Sequence, residues 1–161
     1  MAIVNLDKIQ ARKTGNLTPV VFTEVVKNGA VFHLGDLVAG ERELHKAVKP
    51  AAETVDVLPL VLHASVEMGY NPREYALKHF ELAVGEEGRG VHLAEGDIFT
   101  MTADAFDGTP VVNQFVVPQA GKTQLKPAAT IGTTRFVGKV IESTILGFDG
   151  SPAFAIQVVK N

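Results

Sequence analysis

From Val91 to Asn161, β-rich apolar runs are separated by Gly, Pro or Asp about every eight to twelve residues. The runs are "VHLAEGDIFTMT", "PVVNQFVVPQAG", "TQLKPAA", "TRFVGKVIESTIL" and "PAFAIQVV". That cadence leaves no room for helices of ordinary length. It predicts a mainly β, compact antiparallel β-barrel or β-sandwich, with at most one short helix and an N-terminal arm.

Within that half, "GDIFTMTADAFDGTPVVNQFVV" (96–117) and "GKVIESTILGFDGSPAFAIQVV" (138–159) share eight identities in twenty-two positions. Each carries Phe-Asp-Gly-x-Pro. Asp-Gly between apolar runs is a hairpin signal, because glycine takes positive φ freely and aspartate tolerates it. Both copies therefore read as strand, tight turn, strand. After the proline the parities part: Phe154, Ile156 and Val158 share one, while Val111, Phe115 and Val117 fall on the other. A one-residue slip turns every side chain over, so the turn chemistry recurs better than the following strand.

Upstream, residues 1–18 are mixed and turn-rich, which sets an arm apart from a single β-rich domain over 19–161. "PVVFTEVVKNGAVFHLGDLV" places two runs around Lys27-Asn28-Gly29 and predicts another hairpin. "TVDVLPLVLHASVEM" alternates, with Leu58, Leu60, Leu62, Ala64, Val66 and Met68 on one face and His63, Ser65 and Glu67 on the other. It reads as a half-buried strand. Asn71, Pro72 and Glu74 fit the first turn of a short helix, with an extended excursion as the alternative. "GEEGRG" (85–90) reads as a mobile loop tip.

Composition narrows the function. A chain of 161 residues can bury a proper core. Its formal charge of −3 gives no basic field for nucleic acid. No cysteine is present, which excludes disulfides and thiolate chemistry. No run of eighteen apolar residues occurs and the first residues carry no signal-like stretch, so the expectation is a soluble protein with no membrane partner.

The candidates for chemistry are thin. His63 and Glu67 lie four residues apart, roughly 13 Å along a strand, too far to grip one metal ion. Glu41, Glu43 and His45 form a carboxylate, carboxylate, imidazole set able to bind zinc if extended, but alternating charges also protect an edge strand. His33, His79 and His92 read as structural. Asp97, Asp104, Asp107 and Asp149 allow calcium or paired-carboxylate chemistry, although Asp107 and Asp149 already have a turn role. No nucleophile-elbow, zinc-protease or phosphate-loop motif occurs. With no tryptophan and two tyrosines, a stacking platform is also thin. The reading is a non-enzymatic protein with no cofactor and no metal.

At "LVAGERELHKAV", "HFELAVGEEGRGVHLAEGDIFTMTADAF" and "LKPAATIGTTRFVGKVIESTILGFDGSPAFAIQVV" the chain resembles the head decoration, or capsid cement, proteins of tailed bacteriophages. The resemblance spans roughly residues 35 to 159 and leaves the arm unmatched. It implies a compact β-domain made in the host cytoplasm and displayed on the outer capsid surface. The implied partners are the major capsid protein and copies of the chain itself, as a homotrimer at quasi-threefold positions. On this reading the arm attaches, with Ile3, Val4 and Leu6 as apolar anchors and Arg12 and Lys13 in polar contacts. The alternatives are a carbohydrate-binding or host-facing β-domain of a virion, a tail structural protein, or a metal enzyme on Glu41, Glu43 and His45.

Overall fold

The β-branched and aromatic runs form strands where expected, but the chain distributes them over two units. A computed structural model describes residues 3–10, 16–67, 80–147 and 150–161. Strands β2 (Leu17–Val21), β3 (Val31–Leu37), β4 (His45–Val48), β5 (Val61–His63) and β6 (Glu87–His92) close a barrel in the order β2-β4-β3-β5-β6. Strands β1 (Val4–Lys8), β7 (Ile98–Thr102), β8 (Phe115–Val117), β9 (Lys126–Ala128), β10 (Val137–Leu146) and β11 (Ser151–Lys160) form a sheet in the order β1-β7-β11-β10-β8-β9. The protein is mainly β, with a barrel and an antiparallel sheet. Among the described strands one pairing is parallel: β2 runs alongside β4 at Val20–His45 and Val21–Lys46, which closes the barrel.

The barrel wall is buried on both sides. Val20, Phe22, Val26, Ala30, Phe32, Val61 and Leu82 form one cluster, drawn from barrel strands and the loops that cap them, inside the barrel. Val31, Leu60, Leu62 and Val91 belong to a second cluster with Phe99, Met101, Val140, Phe154 and Ile156 of the sheet. Neighbouring residues of β5 therefore point into different cores. The half-buried strand expected over 54–68 is corrected here: only Val61–His63 is strand, residues 52–57 form turns, and Leu60 through Ala64 are all buried while Leu58 and Val66 are exposed. Of its polar face, His63 meets the barrel interior instead of water.

The hairpin expectations divide. The second Asp-Gly copy does join a hairpin, since β10 and β11 pair from Val137–Lys160 to Leu146–Ser151. Phe148 and Asp149 lie outside the described residues. The first copy does not: after β7 comes a short 3-10 turn at Ala103–Ala105, and β8 pairs with β9 and β10. Asp107 there accepts hydrogen bonds from Gln119 Nε2 (2.9 Å) and Lys122 Nζ (2.7 Å), which pins the 119–125 segment to the loop. The Asn28-Gly29 turn is likewise no hairpin, because β2 and β3 are separated in the barrel by β4. The helix considered at Asn71 lies outside the described residues.

The segment read as an arm supplies a strand. Val4 pairs with Met101 and Asn5 with Thr100, so β1 forms one edge of the sheet. Leu62→Ala, at the face shared by barrel and sheet, should cost about 2–5 kcal/mol. Ile145→Ala, at an exposed position, should stay within about 0.5 kcal/mol. Denaturant unfolding of the two variants beside the parent checks both.

Candidate functional site

The densest polar arrangement among the described residues sits at one end of the barrel. His63 follows the buried Val61 and Leu62 on β5, and Ser65 lies two residues on, hence on the same side of an extended chain. The His63 Nδ1 is 2.9 Å from the Lys27 carbonyl oxygen, which can only accept, so Nδ1 carries the ring proton. Nε2 then offers a lone pair, and the Ser65 hydroxyl donates to it at 2.8 Å. The Arg89 backbone N–H donates to the same hydroxyl oxygen at 2.9 Å. Asn28 completes the set: its Oδ1 accepts from Ser65 N–H (2.8 Å), and its Nδ2 donates to Ser65 O (3.0 Å) and Glu67 Oε1 (2.8 Å). Burial holds the His63 imidazole below the ordinary histidine range; the Lys27 carbonyl acts in the opposite direction and the Arg89 charge adds to the depression.

A serine hydroxyl donating to a neutral imidazole has the geometry of a nucleophile and its base. A Cβ built at Gly88 of β6 would lie 2.9 Å from His63 Nε2, 3.2 Å from Ser65 Oγ and 2.7 Å from Leu82 Cδ2. The strand backbone thus sits against one side of the pair, with the Leu82 side chain beside it. What the arrangement does is satisfy polar groups that the barrel buries.

The glycines of "GEEGRG" acquire their meaning here, and the loop-tip reading is corrected. Glu87 to Gly90 belong to β6, between β5 and β2. Gly88 leaves space for the His63 ring. Gly90 does the same for Phe32, whose Cζ would stand 3.1 Å from an added Cβ.

Toward the other end of β6, His92 Nε2 meets Thr18 Oγ1 at 2.8 Å, and His45 Nδ1 donates to Gly35 O at 2.9 Å. Burial, and then the neighbouring His45, keep His92 below the ordinary range. Glu41 and Glu43 are exposed in the turn before β4 and do not join His45 in a cage. Among the described residues no group of three or more His, Asp or Glu is placed to hold a metal ion. His33 Nδ1 donates to Pro59 O (3.0 Å), while its buried Nε2 has no hydrogen-bond partner there.

Asp97 and Asp107 are spent on structure, and Asp149 lies outside the described residues. Asp97, buried, accepts from the N–H groups of Gln10 (3.0 Å) and Ala94 (2.9 Å). Lys122 first, and Gln119 next, hold the exposed Asp107 carboxyl below the usual carboxylate range.

Of the residues assigned to attachment, Ile3 accepts at its carbonyl from the Thr102 N–H (3.1 Å) and donates its own N–H to Thr102 Oγ1 (2.9 Å). Val4 and Leu6 are half-buried against the core shared by barrel and sheet. Arg12 and Lys13 lie outside the described residues. A different surface was not singled out in the sequence: the outer edge of β10. β8 pairs with it only at Gly138 and Lys139, and the 113–114 loop covers Val140. From Ile141 to Leu146 no described strand lies on that side. Ile141 and Ile145 are exposed there, the latter at 68%. Its signal was the length of "VGKVIESTIL" against its short neighbour.

The chain matches no protein-family model, no curated protein and no solved structure.

Gly88→Ala should destabilise the protein by about 1–3 kcal/mol, because the methyl must displace Leu82 or the imidazole from a filled space. A lowered denaturant midpoint with an unchanged slope is the expected readout.

Proposed function

We propose that the protein is a non-enzymatic virion structural protein that binds the outer surface of a bacteriophage capsid and stabilises it, acting as an oligomer. The observation that carries this reading is the outer edge of β10, where no described strand pairs with Ile141–Leu146. Such an edge, with exposed Ile141 and Ile145, suits attachment by strand pairing, either to a second copy or to a capsid subunit. The resemblance of residues 35 to 159 to head decoration proteins points the same way.

In this reading the major capsid protein is the partner and a homotrimer is the assembly. Many modest contacts gain strength by multivalency. Arg12 and Lys13 make polar contacts with the lattice. Ile3, Val4 and Leu6 act by holding β1 in the sheet, so their effect on attachment is indirect.

Light scattering on the purified chain, alone and mixed with undecorated capsids, tests the proposal. The expected result is an oligomer that saturates the capsids at a fixed copy number. Ile145→Lys should weaken capsid binding by about tenfold or more, equivalent to about 1.4 kcal/mol, while leaving the melting temperature in place. A chain that ignores capsids at every concentration tried would overturn the reading.

A further inference from the structure

The segment Lys27 to Ala30 lies between the two units and is held from both sides. Toward the sheet, Gly29 has φ of +88°, and a Cβ there would come 3.1 Å from Ala105 Cβ and 3.3 Å from both Met101 Sδ and Val4 Cγ2. Toward the barrel, Gly29 N–H donates to His63 O (2.9 Å) and Lys27 O accepts from the His63 ring (2.9 Å). Asn28 is fastened to Ser65 and Glu67. Beside the segment lies a cleft of about 220 Å³, lined by Lys27, Asn28, Asp104 and Thr123 among others.

We propose that Lys27–Ala30 is an acid-sensitive hinge loop of the barrel, packed against the sheet and latched by the neutral His63 ring. Protonation turns Nε2 from the acceptor of the Ser65 hydroxyl into a second donor, in a space closed by Gly88 and Leu82. The charged groups around it give little relief. Arg89 of β6, whose Nε donates to Ala64 O (2.7 Å), repels the new cation. From the hinge itself, the Lys27 ammonium is paired with Glu81 at 3.2 Å. Glu67, beyond β5, is engaged through Asn28. The loop after β2 offers only the ring of Phe22, centred 5.1 Å from the imidazole.

The sign follows from linkage. The folded ring is held below its ordinary value of 6.5 by burial, so an opened hinge binds the proton first. As pH falls below 6.5 the opened form gains up to about tenfold per pH unit, until the folded ring itself titrates. Above that range the latch is at full strength. The response is local, since all five histidines fall between His33 and His92 and no strand of the sheet contains one. This inference stands apart from the capsid reading.

Hydrogen exchange of the intact chain at pH 7.5, 6.5 and 5.5, with rates corrected for their intrinsic pH dependence, tests it. Peptides covering 26–34 and 60–66 should exchange faster by up to about tenfold between pH 6.5 and 5.5, with β10 and β11 unchanged. No acceleration, or an equal one in the sheet, overturns the proposal. Ser65→Ala removes the hydroxyl donated to the neutral ring, so the folded ring titrates at higher pH and the acceleration between pH 6.5 and 5.5 should shrink; an undiminished acceleration also overturns the proposal. His63→Gln should abolish the response, and its persistence would count as refutation. Should that variant fail to fold, the parent chain and Ser65→Ala decide alone.

Discussion

The barrel wall formed by β3, β5 and β6 has no solvent side where it meets the sheet, and the rest of the molecule is arranged around that fact. Phe32 and Val61 point into the barrel while Val31, Leu62 and Val91 point at the sheet. Shifting β5 by one residue would exchange the two sets and bring His63 into the apolar layer against the sheet. Register is therefore fixed by two cores at once. Asn161 adds a polar tie at the same seam, its side chain bonding Leu60 N–H (2.7 Å), Leu60 O (2.9 Å) and Leu93 O (2.9 Å).

Two-sided burial sets the terms for every polar group in the wall. A histidine on β5 cannot reach water, so its ring is matched by a carbonyl on one nitrogen and a hydroxyl on the other. The serine hydroxyl oxygen also accepts from the Arg89 N–H and lies against β6. The parts of a catalytic pair here satisfy polar groups in the barrel wall. Surface chemistry is left to the strand edges and loops, where Ile141 and Ile145 face solvent.

Much of this was legible in the residues. The turn cadence of the C-terminal half gave the fold class, and "TRFVGKVIESTIL" and "PAFAIQVV" mark the long hairpin closely. The broken parity after Pro110 bore only on the strand that follows; the tight turn expected of the first Asp-Gly copy did not form, and its aspartate clamps Lys122 and Gln119 instead of turning a hairpin. What stayed hidden was which layer each alternating face would meet. His63 and Ser65 were visible as neighbours on one face, yet alternation looks the same whether that face meets water or a barrel interior. Likewise, Gly88 and Gly90 follow a strand period of two, and a glycine-rich run between two glutamates and an arginine reads as a loop until the rings opposite are known. The β10 edge was missed because edge status depends on the length of a neighbour, which is a property of pairing and not of the strand.

Gly90 carries a consequence for the history of the chain. Its missing Cβ is the slot that the Phe32 ring occupies, in a strand almost sixty residues earlier. A larger residue at position 90 would also meet Val61 Cγ1 at 2.9 Å and the Thr18 carbonyl oxygen at 3.2 Å, so shortening position 32 alone does not open the slot. Divergent relatives should therefore keep glycine at position 90 wherever the barrel keeps these neighbours.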